Sequence, residues 1–523
     1  MKFLSRKAYF FLFLILYISS ISAFKLSSNN YFPLAHGPYY FSFAESLYNN
    51  LGVYSYWTIP QDPKLVYTFQ MGVSFIIYLC IFFFNLDFWF LAFYFFSSYL
   101  WCLGFFQLEK FLKSIEFAKY EIYFLMLVIF FQPYNINQVA TFSNETIYLP
   151  LLVLSFFKFI NSINKFKKNN FTAPDIFIFL FFIFGIFLRV HHVIFIASVG
   201  LYIFFYKKEF IKYYFIIFFF SILVFLTLFF FSPLVNSLTV AKSILFTSLD
   251  NFNLTQFYNN FFSTKDLKLE IGMGYIPYNE IFLLSLERFS NIITYPILLS
   301  KFTHSIQIKS FFLVIFLILN LIGLKHIKKF SLAYYKFSLI YLCFSILFIY
   351  FLPFFELNYV LPISFIFFIN LAFVIKFYLR SFFLKILIPS SIFFVFVIFL
   401  FYNGVLRNQE IEIYGNRALT KKIKNFYEKF PVNENLFYAT PDVYYTFELH
   451  YWHAGARVCL TSVSIIDCLK QRKINKYSNV IFFFNKGEEV LKNKIYINFL
   501  TRNNFDINDI KSEDFINFYI KKN

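Results

Sequence analysis

The sequence predicts an α-helical polytopic membrane protein, with about eleven spans plus a re-entrant segment and a small C-terminal α/β soluble domain. Only 14% of the 523 residues are charged and 59% are hydrophobic, whereas soluble chains are about one quarter charged. About a dozen apolar stretches approach the length that crosses ~30 Å of hydrocarbon. Beyond residue 402, short apolar runs such as "NVIFFF" alternate with helical patterns, which is typical of an α/β domain.

The apolar segments follow one another from the N-terminus to residue 402. They lie near 8–24, 66–85, 88–108, 120–134, 145–162, 175–189, 191–206, 213–231, 310–324, 332–354, 360–376 and 386–402. Because Lys2, Arg6 and Lys7 precede the first segment, the N-terminus is predicted to be cytoplasmic. That segment mimics a signal peptide, but its place before so many further spans favours an uncleaved helix.

Short basic connections predict the remaining topology. They occur at 110–119, 165–168, 207–212, 325–329 and 376–385, and the positive-inside rule places all of them in the cytoplasm. Simple alternation fails once, between residue 24 and Lys110, where two apolar segments stand in the place of one crossing. We therefore predict that 66–85 enters from the outer side and returns. Residues 1–402 then form the membrane domain, and residues 403–523 form an extracytoplasmic soluble domain.

The net charge of +19 follows from the same loops, because lysine and arginine concentrate in them. The charge therefore indicates a lipid bilayer as partner and not nucleic acid. The predicted outer segments are 25–65, 135–144, 232–309 and the tail after Phe401. A membrane enzyme needs polar residues that substrate can reach, and these segments supply them.

The first outer loop contains "PLAHGPYYFSFAESLYNN" at residues 33–50. Pro38 is a favoured first helical residue, and from there Tyr40 and Ala44 share an apolar face while Glu45 falls on the other. This spacing predicts a short helix in the outer interface, with its tyrosines at headgroup depth. A plain connecting loop is the alternative.

Three other polar positions interrupt apolar sequence on the predicted outer side. Glu145 opens an apolar helix, either as a favourable acid of the first turn or as a functional carboxylate. Arg189 stands between two apolar helices in "LRVHHV", where it either snorkels to the interface or binds phosphate through its planar fork of donors. Glu356 and Asn358 lie between two further apolar runs.

These segments, in this order, resemble the glycosyltransferase C superfamily. The nearest branch is that of the bacterial polyprenyl-phosphate-sugar transferases related to protein mannosyltransferases and the lipid A aminoarabinose transferase. "HGPYYFSFAESL" resembles the family's first outer loop, "VYTFQMGVSFI" its next motif, and "QPYNINQVATFSNE" its polar loop before an acid. "LRV" resembles an "LRP" turn, and "ELNYVLP" resembles "E-x-R-Y-x-x-P". The likeness runs over residues 1–400 in short motifs.

Two positions depart from the family pattern. His36 stands where the family has an Asp that acts as base toward the acceptor, and Asn358 stands where it has an Arg. Histidine can serve as a base, but it cannot replace a carboxylate as ligand to a hard cation. A changed acceptor, another carboxylate such as Glu45 or Asp62, and lost activity all stay open.

The resemblance implies an inverting transfer of a sugar from a polyprenyl-phosphate donor to a glycolipid, glycan or protein acceptor. The reaction would occur on the outer face of the bacterial inner membrane. It implies His36 or Glu45 as base and Glu145 as a second acid that positions the acceptor or a metal. The remaining implied contacts are Arg189 and His191 to the donor phosphate, and Tyr39, Tyr40, Glu356 and Asn358 to the substrates. No cofactor is assigned, and a divalent metal, the sugar and the acceptor stay open.

Two other functions are alternatives. A lipid-linked glycan flippase or other transporter would need polar groups spread through its spans, whereas here they collect on one predicted face. An O-antigen ligase or polymerase would share that face, but such enzymes generally lack a soluble C-terminal domain.

Cys459 and Cys468 both fall in the predicted extracytoplasmic tail. An oxidising compartment favours a disulfide between them. Two buried free thiols, one on a strand and one on a helix, are the alternative.

Overall fold

The structure is a computed structural model. It describes residues 5–27, 40, 44, 71–140, 143–163, 185, 188–189, 192–208, 211–212, 214–216, 218–219, 223, 306–351, 360–378, 385, 387, 389–396, 436–439, 458–459, 479–484, 494–508, 511–513 and 516–520.

The elements within these residues are mostly helices. The helices are α1 (Arg6–Ser27), α2 (Met71–Ser114), α3 (Lys119–Phe130), α4 (Pro133–Ala140), α5 (Glu145–Ile163), α6 (His192–Tyr206), α7 (Ile306–Phe330), α8 (Leu332–Phe351), α9 (Leu361–Tyr378) and α10 (Lys494–Arg502). The strands are β1 (Leu436–Ala439), β2 (Val458–Cys459), β3 (Asn479–Phe484), β4 (Lys511–Glu513) and β5 (Ile516–Ile520).

Several of these helices have the length and composition of membrane spans, and the chain is a multi-pass membrane protein. Within the described ranges, four helices are long and apolar enough to cross a bilayer: Arg6–Phe24, Phe88–Ser114, Glu145–Ile163 and Leu361–Tyr378. A fifth is added if α3 and α4, which meet at a bend of 53°, form one broken span. The total of about eleven spans stays a prediction.

Helix α2 joins two apolar segments that the sequence analysis separates. Its backbone leaves helical geometry at Asn85, with φ of 62° and ψ of 171°, so the helix consists of two parts. The first part, Gly72–Asn85, is about 20 Å long at 1.5 Å per residue, short of the ~30 Å hydrocarbon core. The re-entrant path assigned to 66–85 stays a prediction.

The chain divides into two compact units. The first comprises Met1–Phe24, Tyr94–Leu228 and Thr247–Phe401, and the second comprises Lys25–Phe93, Phe229–Phe246 and Tyr402–Asn523. The division predicted at residue 402 also stays a prediction, as does the placement of the tail outside the cytoplasm.

Aromatic rings fill the core of the first unit. Phe156 of α5 contacts Phe337 of α8 and Phe365 of α9, with ring centroids 4.9 and 5.2 Å apart. Such pairs add about 0.5–1.5 kcal/mol to the burial of apolar area. Helices α7 and α9 pack closely against each other at Gly323. A Cβ on Gly323 would lie only 2.8 Å from the carbonyl carbon of Asn370. A larger residue at that position would force the two helices apart.

The second unit contains a five-stranded sheet of order β2-β1-β3-β5-β4. Strand β1 pairs in parallel with β2 and β3, whereas β5 is antiparallel to β3 and β4. The apolar run "NVIFFF" forms the central strand β3, where Ile481 is buried. The described C-terminal residues thus combine strands with the helix α10. Cys459 ends β2, but Cys468 lies outside the described residues and the disulfide stays a prediction.

Candidate functional site

The described residues between α3 and α5 form a buried polar elbow, which we define as residues 131–140 and 143–145. The sequence analysis treats 135–144 as a polar outer loop, and this is wrong in part, because Pro133–Ala140 is the short helix α4. Proline is favoured at a first helical position. The side chains of Gln132 and Asn135 are almost fully buried, so the elbow does not present them to solvent.

Hydrogen bonds within the elbow explain why polar residues occur there. The Oε1 atom of Gln132 accepts a hydrogen bond from the backbone N–H of Asn135 at 2.8 Å, and so caps the start of α4. The Asn135 amide donates to the Phe130 carbonyl at 2.7 Å, which satisfies a carbonyl at the end of α3. The Gln138 carbonyl accepts from the Thr146 hydroxyl at 3.0 Å and ties α4 to α5.

Helix α2 fixes the elbow from one side. The Tyr94 hydroxyl donates to the Val139 carbonyl at 2.6 Å, and the Ser97 hydroxyl donates to the Thr146 carbonyl at 2.7 Å. Both donors are buried. A buried carbonyl without a partner costs about 1–3 kcal/mol, so these two bonds hold the end of α4 and the start of α5 in defined positions.

Glu145 is the first residue of α5 and its carboxylate is buried. The Ser143 hydroxyl donates to Oε2 of Glu145 at 2.7 Å. The carboxylate also lies at the positive end of the helix dipole, which favours its charged form. The Glu145 carboxylate is therefore held in place by the Ser143 hydroxyl, whether its role is to cap the helix or to take part in the function.

Arg189 lies in the turn that precedes α6. Its backbone N–H donates to the Gly185 carbonyl at 2.9 Å, and its own carbonyl accepts from the N–H of His192 at 3.0 Å. Gly185 is required at this turn, because a Cβ there would lie 2.5 Å from Nε2 of His192. These backbone hydrogen bonds therefore hold Arg189 and His192 close together at the start of α6.

The central feature of the site is an ion pair between the Arg189 guanidinium and Oε1 of Glu145. Each side chain is only 3% exposed. A carboxylate and a guanidinium at such depth stabilise each other, whereas either one alone would be a buried, uncompensated charge. Arg189 therefore does not snorkel to the interface in this structure, and Glu145 is not a simple helix cap.

A buried tyrosine and a buried histidine, Tyr148 and His192, lie three residues after Glu145 and Arg189, respectively. The Tyr148 hydroxyl lies 3.4 Å from Nδ1 of His192. The His192 ring stacks on Phe195 with centroids 5.3 Å apart. The Tyr341 hydroxyl of α8 reaches the Pro362 carbonyl at 3.5 Å, at the start of α9. The walls of the site are thus aromatic and buried.

The structure describes three of the residues assigned to the site from sequence. It brings Glu145 and Arg189 together, and it places Tyr40 in helical geometry with its ring buried. Ala44 is also helical and buried, in agreement with the face predicted for that segment. The other assigned residues lie outside the described residues: His36, Tyr39, Glu45, His191, Glu356 and Asn358.

The sequence analysis did not assign the hydrogen-bond partner of Glu145 or the buried residues that follow the two charges. Ser143, Tyr148 and His192 have no assigned role there, although the first and second lie two positions before and three positions after Glu145. One signal was available, because ionisable residues in membrane helices usually pair with one another. A lone Glu and a lone Arg at the ends of neighbouring apolar segments fit that rule.

A divalent metal would need oxygen ligands from carboxylates. Among the described residues there is no cluster of three or more His, Cys, Asp or Glu side chains that could hold one. Glu145 is engaged by Ser143 and Arg189, so it could ligate a metal only if the ion pair opened. The other candidate carboxylates, Glu45 and Asp62, lie outside the described residues.

Comparisons with known proteins show that the chain has a known fold. The sequence matches no protein-family model and no curated protein. The structure is similar to ArnT from Cupriavidus metallidurans bound to undecaprenyl phosphate, over 99% of this chain and 98% of that chain, with a TM-score of 0.58 and 7% identity. The apo state of the same protein matches with a TM-score of 0.57 and 8% identity, over 98% of each chain.

A second neighbour is the oligosaccharyltransferase of Archaeoglobus fulgidus in complex with zinc and sulfate. It matches over 90% of this chain and 67% of that chain, with a TM-score of 0.50 and 12% identity. The chain therefore has the fold of the glycosyltransferase C superfamily. The resemblance drawn from its sequence motifs is confirmed at the level of the fold.

Proposed function

We propose that the protein is a membrane glycosyltransferase that moves a sugar from a polyprenyl-phosphate donor to an acceptor. The observation that supports this most is the likeness to ArnT from end to end of both chains. The buried Glu145–Arg189 pair adds to it, because these are two of the residues that motif comparison assigns to the reaction.

The proposal of a polyprenyl-phosphate donor rests on the lipid bound to a structural neighbour and on the charge of Arg189. The ArnT structure contains undecaprenyl phosphate, which supports a polyprenyl phosphate as the group that leaves. A guanidinium suits a phosphate because its planar fork of donors matches two phosphate oxygens. Arg189 is therefore the proposed ligand of the donor phosphate, with His191 beside it in sequence.

The proposed reaction is a single inverting displacement. A base takes the proton of the acceptor hydroxyl or amine, the acceptor atom bonds to C1 of the sugar, and the bond from C1 to the phosphate oxygen breaks. His36 or Glu45 is the proposed base. The electron pair leaves with the polyprenyl phosphate, whose added negative charge Arg189 would stabilise.

In this proposal Arg189 exchanges partners. Before the donor arrives, Glu145 compensates the guanidinium charge inside the apolar bundle. The donor phosphate would then share or replace that carboxylate, since a guanidinium has five N–H donors. Glu145, released in part, would position the acceptor or a metal. Tyr39, Tyr40, Glu356 and Asn358 are the proposed substrate contacts.

We place the reaction on the outer face of a bacterial inner membrane, with the C-terminal domain on the same side. The acceptor is a glycan, a lipid or a protein. A transporter of lipid-linked glycans and an O-antigen ligase or polymerase are the competing functions, and the experiment below separates the transporter from the proposal.

The test uses the purified full chain in nanodiscs and a panel of polyprenyl-phosphate sugars with a mixture of acceptors. We expect release of polyprenyl phosphate from at least one donor, measured by mass spectrometry. Arg189→Ala should abolish the release. Arg502→Ala, which removes an exposed arginine at the end of α10, is the matched control and should retain it.

Two results would count against the proposal. The first is no release from any donor by a protein that remains folded in the nanodisc. The second is movement of intact lipid-linked glycan across a vesicle membrane without release of lipid phosphate, which would establish the transporter.

A further inference from the structure

A narrow crevice lies in the first unit. It is located at the end of the helices where the basic connections 110–119 and 376–385 occur. It is bounded by α3, by α9 and by residues Lys385, Pro389 and Ile392, and its volume is about 50 Å³. A cavity needs about 10–15 Å³ of such volume to hold one water molecule. The crevice therefore has room for roughly four methylene groups and not for a whole lipid.

The crevice changes from polar to apolar along its length. At one end it is lined by Glu121 of α3, Lys376 of α9 and Lys385. At the other end it is lined by Val128, Phe368 and Ile392. Seven or eight residues of helix separate the two ends, which corresponds to about 10–12 Å at 1.5 Å per residue.

Lys376 is held in place at the polar end. Its ammonium donates to the carbonyls of Ile115, at 3.1 Å, and Glu116, and it lies 4.4 Å from the centroid of the Phe117 ring. Neither carbonyls nor an aromatic ring neutralise a full positive charge. A fixed ammonium is thus available at a defined position.

The acidic groups near this end do not cancel the two lysines. The Glu121 carboxylate accepts a hydrogen bond from the Ala118 backbone N–H at 2.7 Å and so caps α3. Glu116 is exposed, so solvent and salt screen its charge. The polar end is therefore cationic, with two lysines beside one engaged carboxylate.

A ligand that fits this crevice has one anionic end and an unbranched apolar part. We propose that the crevice binds an anionic phospholipid, with its phosphodiester headgroup at Lys376 and Lys385 and a few methylenes of one acyl chain along α3 and α9. Basic pockets between membrane helices on the cytoplasmic side recognise such headgroups. The predicted topology puts this end of α9 on the cytoplasmic side, whereas the proposed reaction site is on the outer side. The crevice is therefore a second lipid site, separate from the donor site.

The apolar end of the crevice favours an anionic phospholipid over other anions. A free phosphate would use only the two lysines and would gain nothing from Phe368 or Ile392. A zwitterionic lipid would place a cationic group near the lysines as well as its phosphate. An anionic phospholipid is complementary to both ends at once.

The test compares the full chain in nanodiscs of phosphatidylcholine alone and of phosphatidylcholine mixed with phosphatidylglycerol. The protein is released and the lipid that stays bound is identified by native mass spectrometry. Lys385→Gln removes one positive charge at the polar end of the crevice. Ala372 also lines the crevice, so Ala372→Leu narrows its apolar part. The matched controls are Lys329→Gln, an exposed lysine of α7, and Val374→Leu, a neighbour on α9 that does not line it.

We expect wild-type protein to retain phosphatidylglycerol in preference to phosphatidylcholine. Lys385→Gln should lower that retention about fivefold, which corresponds to the weight of about one lysine near a membrane surface. Ala372→Leu should lower it as well, while both controls should leave it unchanged. If one variant does not fold, the other still decides the question.

Three results would overturn the proposal. Equal retention of the two lipids would remove the charge preference. An equal loss in Lys329→Gln would attribute the retention to diffuse surface charge. Full displacement of phosphatidylglycerol by inorganic phosphate, with no effect of Ala372→Leu, would reduce the crevice to a phosphate site.

Discussion

The buried pair of Arg189 and Glu145 allows a prediction that separates its structural role from its proposed catalytic role. The perturbation is a double-mutant cycle of Glu145→Gln, Arg189→Met and the combined variant. Glutamine keeps an oxygen for the Ser143 hydroxyl, and methionine keeps part of the apolar stem of arginine. Each single change removes the ionic partner that the structure shows for the other charge.

The magnitude follows from the burial. With both side chains 3% exposed, removing one partner should cost about 3–5 kcal/mol of stability. The double variant, which buries no net charge, should be within about 1 kcal/mol of the wild type. The coupling energy should therefore exceed about 3 kcal/mol, compared with about 0.2–1 kcal/mol for exposed pairs.

The assay is the thermal midpoint of the purified protein in one detergent, followed by a fluorescent reporter. At about 2 °C per kcal/mol for a large chain, each single variant should unfold roughly 6–10 °C below the wild type. Activity is measured on the same samples. We expect the double variant to regain stability but not transfer, because no guanidinium is left for the donor phosphate.

Two results would refute this reasoning. If the single effects simply add in the double variant, the two charges do not depend on each other. If the double variant regains both stability and transfer, Arg189 has no part in the reaction and the pair is structural only.

Three further predictions concern the turn, the topology and the base. Gly185→Ala should lower the thermal midpoint by the equivalent of about 1–3 kcal/mol, because its Cβ would lie 2.5 Å from Nε2 of His192; an unchanged midpoint would contradict the close packing. A reporter that is active only outside the cytoplasm should give signal when fused after Asn416 and none after Lys168, and equal signals would exclude the predicted topology. If His36 replaces the family's Asp, His36→Ala should lose transfer and His36→Asp should regain part of it, as measured by polyprenyl phosphate release; unimpaired His36→Ala would place the base elsewhere.

Much of the helical architecture is predictable from the sequence, because apolar length alone predicts it. The segments 145–162 and 191–206 become α5 (Glu145–Ile163) and α6 (His192–Tyr206) to within about one residue at each end. The break of α2 at Asn85 falls at the end of the predicted segment 66–85, but its positive φ was not predictable, since a residue in left-handed geometry leaves no trace in hydropathy. The short helix α4 was missed for a related reason, because its polar residues satisfy backbone groups of the elbow and not solvent.

The candidate site was predictable as a pair of residues but not as a contact. Glu145 and Arg189 attract notice because each is a lone charge at the end of an apolar segment. They are far apart in sequence, and only the packing of α5 beside the turn before α6 brings their charges together. The local patterns around each residue, a first-turn acid and a turn between helices, contain no information about the other.

The pairing also bears on why a phosphate-binding arginine can exist at this depth. An isolated guanidinium at this depth would be costly to bury. Glu145 removes that cost while the donor is absent, and Ser143 holds the carboxylate on its other oxygen. An incoming phosphate then has to compete only with a carboxylate of similar geometry for the guanidinium. This requires that Glu145 stays ionised throughout, and the expected stability of Glu145→Gln, well below that of the wild type, follows from the same requirement.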